Sequence, residues 1–145
     1  MMLLRKATTS DCLWIFEVLN ELREPVDYSY EAFSNYFNET LHNENFLFLI
    51  LESENVRIGY VTLNKFSMPR YIGFGYEMEE FVIHKEHRGK GYSYKLIEEV
   101  KKFIQTDRSI RKLIIKSNGN DSKPIYAKAL IESDLVTFQV FLNKI

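Results

Sequence analysis

Between Tyr76 and Ile104 the sequence changes period once, and that change limits what can be built around it. Tyr76 to Ile83 ends in a Phe-Val-Ile run that suits a strand. Further on, Leu96, Ile97, Val100, Phe103 and Ile104 fall on one helical stripe, with Lys95, Glu98, Glu99, Lys101 and Lys102 off it. The ten residues between them, His84-Lys85-Glu86-His87-Arg88-Gly89-Lys90-Gly91-Tyr92-Ser93, combine two glycines with a cluster of basic side chains. A strand, a short basic loop and an amphipathic helix in immediate succession read as a unit of a layered α/β protein.

The flanking sequence extends the pattern. Met1 to Ala7 reads as a strand, and Thr8 to Asp11 offer N-cap residues for a first helix carrying Leu13, Trp14, Phe16, Val18, Leu19 and Leu22. Pro25 ends that helix, and Phe33, Tyr36, Phe37 and Leu41 repeat the helical spacing. Two β runs follow, Asn45 to Glu52 and Arg57 to Phe66, joined by a short polar link that suits a hairpin. Gly73-Phe74-Gly75 reads as a turn ahead of the strand at Tyr76. After the helix come a strand at Arg111 to Ser117, a short helix opened by Pro124, and a last strand from Leu135 to Lys144.

Bulk properties exclude several classes. A chain of 145 residues fits one domain, residues 1–145, and its 46% apolar and 27% charged content is that of a globular protein. A formal net charge of −1 gives no global reason to bind nucleic acid or an anionic membrane, so any anion site must be local. Cys12 is the single cysteine, which rules out an internal disulfide and suits a reducing, cytoplasmic setting. The longest apolar run, Phe46 to Leu51, is too short to span a bilayer.

The glycine loop invites an anion. Unpaired N–H groups at a helix N-terminus carry partial positive charge, and glycines let a ligand approach the backbone closely. Arg88 and Lys90 add charge suited to a diphosphate. The plainer alternative is a two-glycine turn with solvated basic side chains. A dinucleotide-binding G-x-G-x-x-G is absent, since Tyr94 stands three after Gly91, and the spacing of a Walker A loop is absent too.

The run Arg88-Gly89-Lys90-Gly91-Tyr92-Ser93 resembles the signature of the GNAT superfamily of acyl-CoA-dependent N-acetyltransferases: Arg or Gln, two residues, Gly, one residue, Gly or Ala. Ser93 departs from the last place. Leu4 to Asp11 resembles the family's first strand and helix start, Arg57 to Leu63 its third strand, and Phe81 to Val100 its acetyl-CoA-binding segment. The wording around Glu79-Glu80-Phe81 is similar to the diamine-acetyltransferase branch. The resemblance implies a mixed α/β (α+β) fold with a mainly antiparallel sheet of about six strands flanked by about four helices. It implies acetyl transfer from acetyl-CoA to a primary amine of a small molecule or peptide, with no metal. Backbone groups of Phe81, Val82 and Ile83 would pair with the pantetheine arm, while Arg88, Gly89, Lys90, Gly91, Tyr92 and Ser93 would cradle the diphosphate. Tyr126 would protonate the departing thiolate, and Asn118 or Asn120 would help hold the cofactor, although neither has the family's spacing of seven to Tyr126.

Strict strand alternation would put Glu79 with Phe81 and Ile83 on one face and Glu80 with Val82 on the other. A part-buried carboxyl has a raised pKa and can take the proton an ammonium must lose before attack, which makes Glu79 a candidate base and Glu80 a candidate substrate contact. The alternative is an exposed strand edge. Asp27 and Tyr28, on the link between the first two helices, are further acceptor-site candidates by the resemblance. His84 and His87 lack a third ligand in the sequence pattern and read as loop residues rather than a metal site. The last strand has room to pair with a second copy, so a homodimer is an expectation. A non-catalytic acyl-CoA-binding or protein-interaction domain of the same fold is the alternative function.

Overall fold

The structure is a computed structural model, and it describes residues 1–22 and 25–116. Among these residues five strands form one sheet in chain order: β1 (Met2–Lys6), β2 (Phe46–Ser53), β3 (Val56–Met68), β4 (Gly73–Ile83) and β5 (Ile110–Ile115). The first four are antiparallel neighbours, and β5 joins β4 in parallel. Three α-helices accompany them, α1 (Cys12–Asn20), α2 (Tyr30–Thr40) and α3 (Tyr92–Gln105). A parallel neighbour requires a crossover, which α3 supplies. The mixed α+β class agrees with the sequence reading. The expected last helix and last strand lie outside the described residues.

Local chemistry sets the turns. Glu54 and Asn55 link β2 to β3 with φ of +50° and +65°, the two positive values that a tight hairpin turn of the favoured hand requires. The expected turn at Gly73 to Gly75 is corrected. Those residues already pair with Met68, Ser67 and Phe66 of β3, and the reversal lies at Pro69 to Ile72. Pro69 has no N–H to continue the ladder, so β3 stops there.

The sheet is buried on both faces because β2 is apolar without alternation. Leu49, Leu51, Val61, Leu63 and Met78 pack with Leu96, Val100 and Ile104 of α3. Ile50, Phe48 and Tyr60 face the other way, onto Ile15, Val18, Phe33 and Phe37 of α1 and α2. The helical stripe read from the sequence is the buried face of α3.

One ion cluster ties these layers together. The Asp11 side chain has no exposed surface, and its two oxygens receive Arg5 at 2.8 and 2.9 Å, Arg57 Nε at 2.8 Å and the Thr8 N–H at 2.8 Å. Arg5 comes from β1, Arg57 from β3 and Asp11 from the turn that opens α1. Desolvation, the largest single influence, raises the Asp11 carboxyl, but the hydrogen bonds from Arg5, Thr8 and Arg57 together outweigh it and hold the group well below the usual carboxylate range.

Removing Asp11 would leave two cations facing a part-buried site. Asp11→Ala is expected to destabilise the fold by about 3–5 kcal/mol in a denaturant titration. The depressed pKa sets the sign of the pH dependence. The stabilisation is fully present above the unfolded value of about 3.9 and is lost as the pH falls toward the folded value, and this acid-sensitive component should be missing from Asp11→Asn.

Candidate active site

The site is set by a surplus residue in β4. Across the β3–β4 ladder Val61 faces Phe81 and Thr62 faces Glu80, but the next residue, Leu63, faces Met78, so Glu79 is the extra residue of a β-bulge. The side-chain phase changes there. Tyr76 and Met78 below the bulge share the α3 face with Phe81 and Ile83 above it. The strict alternation expected for Glu79 therefore fails, while Glu80 and Val82 do lie on the opposite face, with Tyr60 and Thr62. The Glu80 N–H donates to Thr62 Oγ1 at 3.0 Å, so a side chain on β3 satisfies the backbone at the bulge. Among the described residues the ladder to β5 runs from Phe74 to Met78.

The two glutamates stand in different surroundings. Both are open at the surface. Glu79 is near Lys116, which itself pairs with Glu77. Glu80, although open at the surface, has enough protein around it that burial raises its pKa, and the charge of Glu79 pushes the same way. Tyr28, half-buried on the segment between α1 and α2, is close enough that Glu80 contributes to raising its phenol, after burial and ahead of Tyr36 and Asp27. The fold thus brings together Tyr28 and Glu80, two expected acceptor-site residues 52 positions apart in sequence. Tyr28 is fixed from behind by Phe33 and Phe16, with ring centroids at 6.3 and 6.4 Å. Asp27 is exposed beside it.

At the end of β4 the chain makes a short turn at Lys85–His87 and then enters α3 through the two glycines. Gly89 and Gly91 adopt φ of +76° and +81°, which L side chains rarely do, and a Cβ built on either would meet nothing within 4 Å. Gly91 is the N-cap of α3 and supplies no side-chain cap, so the amides of the first turn open onto free space beside exposed Lys90. Tyr92 and Ser93 form that first turn. Arg88 is less free than the sequence suggests, because its Nε donates to the Ile83 carbonyl at 3.0 Å and clamps the turn to the strand end.

The histidines are positioned by α1. His84 donates its N–H to Ile58, stacks on Trp14 at 6.2 Å between centroids and places Nε2 3.3 Å from Glu21. Glu21 also reaches Lys85 at 3.6 Å. His87 packs edge-on to Tyr92, and burial, Lys90 and His84 lower its pKa. His84, Glu86 and His87 do converge within 4.8 Å, closer than the sequence suggests. The Nδ1 of His84 already accepts the Glu86 N–H and its Nε2 faces Glu21, so both ring nitrogens are engaged.

Asn118, Asn120 and Tyr126 lie outside the described residues. Sequence reasoning missed Thr62 and Tyr60, which line the Glu80 face from β3. A signal was present, since the apolar positions of β4 shift from even (76 and 78) to odd (81 and 83), and such a parity change calls for a surplus residue.

Comparison with known proteins bears on this geometry. Solved structures share the fold at low identity. A glucosamine-6-phosphate N-acetyltransferase from Arabidopsis thaliana has 18% identity over 99% of both chains, with a TM-score of 0.78. A ribosomal-protein-alanine N-acetyltransferase from Brucella melitensis has 17% identity over 98% of this chain and 100% of that one, with a TM-score of 0.75. A transcriptional regulator from Bacillus halodurans has 12% identity over 98% and 100%, with a TM-score of 0.84. No curated protein matches the sequence significantly. The family model described as the acetyltransferase (GNAT) family matches residues 12–130, most of the chain and all of the glycine loop and bulge, and the chain therefore belongs to the GNAT acetyltransferase family.

Proposed function

We propose that the protein transfers an acetyl group from acetyl-CoA to a primary amine of a small molecule or peptide, by direct attack of the amine. The observation that carries this is one strand, β4, which presents a carboxyl of raised pKa at Glu80 and then runs straight into the open glycine turn. When bound, acetyl-CoA supplies the acetyl group as an activated thioester. The residues fit it: the open ground over Gly89 and Gly91 would take the diphosphate, with the α3 amides from Tyr92 and Ser93 and the charge of Lys90 and Arg88 holding it. Phe81, Val82 and Ile83, at the end of β4 that leads to the glycine turn, would align the pantetheine arm. Asn118 and Asn120 remain candidates for the same role.

An ammonium ion cannot attack a thioester until it loses a proton. Glu80, crowded beside Tyr28 and Asp27, is the better placed base, and this exchanges the roles first expected for the two glutamates. Its charge would also attract the cation before the proton moves. A backbone N–H at Val82 or Ile83 would hold the developing oxyanion, and Tyr126 is proposed to return a proton to the leaving sulfur. Glu79 then keeps the carboxyl of Glu80 raised. A cytoplasmic location and a homodimer belong to the same proposal.

Coenzyme A alone should raise the melting temperature of the protein in a thermal-shift assay, by an amount that grows with concentration. Gly91→Trp, which forces a side chain into the left-handed region and over the turn, should lose that response. An unchanged melting temperature for the native protein at millimolar coenzyme A would refute the donor site, and a shift without turnover on any of a panel of polyamines, aminoglycosides, amino acids and peptides would favour a binding domain instead.

Glu80→Gln should lower kcat/KM for the amine by about 10²–10⁴ while leaving coenzyme A binding intact. Because the base works ionised and its pKa is raised, activity should fall with acidification at a pH above the ordinary glutamate value of about 4.3. Full turnover by Glu80→Gln across that range would remove Glu80 from the mechanism.

A further inference from the structure

Tyr60, in the middle of β3, is 0% exposed, with its ring against Phe48 at 5.1 Å between centroids. Among the described residues its hydroxyl is the single buried side-chain oxygen or nitrogen with no hydrogen-bond partner. A phenylalanine would fill the same space without burying an unsatisfied polar group, so the hydroxyl is a net cost to the resting fold. Its position suggests what it serves. Tyr60 faces Val82 and Thr62 faces Glu80, so Tyr60 is the diagonal cross-strand neighbour of Glu80 on the same face, a spacing that aromatic and long side chains can bridge. After burial, Glu80 is the strongest influence on the phenol, ahead of Tyr28. Both push it far above its ordinary value, so the hydroxyl keeps its proton at every working pH and is a permanent donor. The other groups facing Glu80 are Glu79 on its own strand and Tyr28 from the α1–α2 segment, with Asp27 and Tyr36 acting on Tyr28.

We propose that Tyr60 is a positioning residue for Glu80, its O–H donating to the ionised carboxylate when that side chain turns inward. The inference rests on the reading of Glu80 as the base only for its catalytic meaning, since the contact itself can be measured without substrate. A donor to the charged form favours that form. Tyr60 therefore offsets part of the upward push from burial and Glu79, and it gives Glu80 a fixed place from which to receive the amine's proton.

The test is a ¹³C NMR titration of the glutamate side-chain carboxyls in native protein and in Tyr60→Phe, with the Glu80 signal assigned by its loss in Glu80→Gln. In Tyr60→Phe the Glu80 pKa should rise by about one unit, the size expected for loss of one hydrogen bond to a charged group. At a pH where Glu80 is protonated the melting temperature should stay level or rise, the comparison should turn in favour of the native protein as the pH rises through the Glu80 pKa, and the thermal shift with coenzyme A should be unchanged. If Glu80 is the base, the acid limb of kcat/KM moves up by the same amount. An unchanged or lowered Glu80 pKa would overturn the proposal, and so would a melting temperature lower by several degrees at a pH where Glu80 is protonated, which would show that the hydroxyl is bonded to some other group. Turnover that persists in Glu80→Gln while the titration still shifts would sink the base assignment and leave the Tyr60 contact standing.

Discussion

A carboxylate with no exposed surface, gripped by two guanidinium groups and a backbone N–H, sits where three elements meet, and the site is registered against it. Asp11 holds β1 through Arg5 and β3 through Arg57 while it opens α1. The chain of contacts continues, for Arg57 lies over Trp14 at 5.9 Å and Trp14 stacks on His84, the first residue after β4. His84 reaches Glu21 one residue past the end of α1, and Glu21 holds Lys85 as well. A buried ion cluster of this kind adds little net stability over a well-packed apolar group, but it accepts few alternative geometries. The start of α1, the first residues of β3 and the glycine loop therefore share one frame.

Within that frame the candidate site is assembled from segments far apart in sequence. Tyr28 comes from the link between two helices, Tyr60 and Thr62 from β3, Glu80 from β4, and the glycine turn from the junction of β4 with α3. The aromatic residues behind Tyr28, Phe16 and Phe33 among them, make a wall on the α1–α2 face, the same face that Glu80 shares with Tyr60. On the other face α3 packs flush against the sheet through Leu96, Val100 and Ile104, which aims its N-terminus past the end of β4. In the proposed reaction each face would contribute one half: one would supply the carboxyl, and the other would offer amides to the diphosphate.

Much of this was legible in the sequence. The helical stripe of α3, the unbroken apolar run of β2 and the Arg88 to Ser93 signature specify layers, a central strand and a helix entry, because each is a local pattern with one structural solution. What escaped was relational. The turn at Pro69 was misplaced because Gly73 and Gly75 look like loop residues until β3 is seen to extend alongside them. The faces of Glu79 and Glu80 were half right, because alternation holds above the bulge and fails at it. Tyr60 drew no separate reading, since nothing in its neighbours in sequence shows that its hydroxyl would be left alone. Arg88 was read as an anion ligand, while its Nε is already committed to a carbonyl of the strand it follows.

The bulge at Glu79 has a meaning for how such a site is encoded. Two apolar pairs, Tyr76 with Met78 and Phe81 with Ile83, must reach the same helix although an even number of residues separates Met78 from Phe81. The ladder can satisfy both only by setting one residue aside. The station of Glu80 is therefore stored as a count between hydrophobic residues, not in the chemistry of the glutamates themselves. A chain could exchange either acid and keep the bulge, whereas moving Phe81 by a single place would remove the need for a surplus residue and shift Glu80 with every polar residue still present.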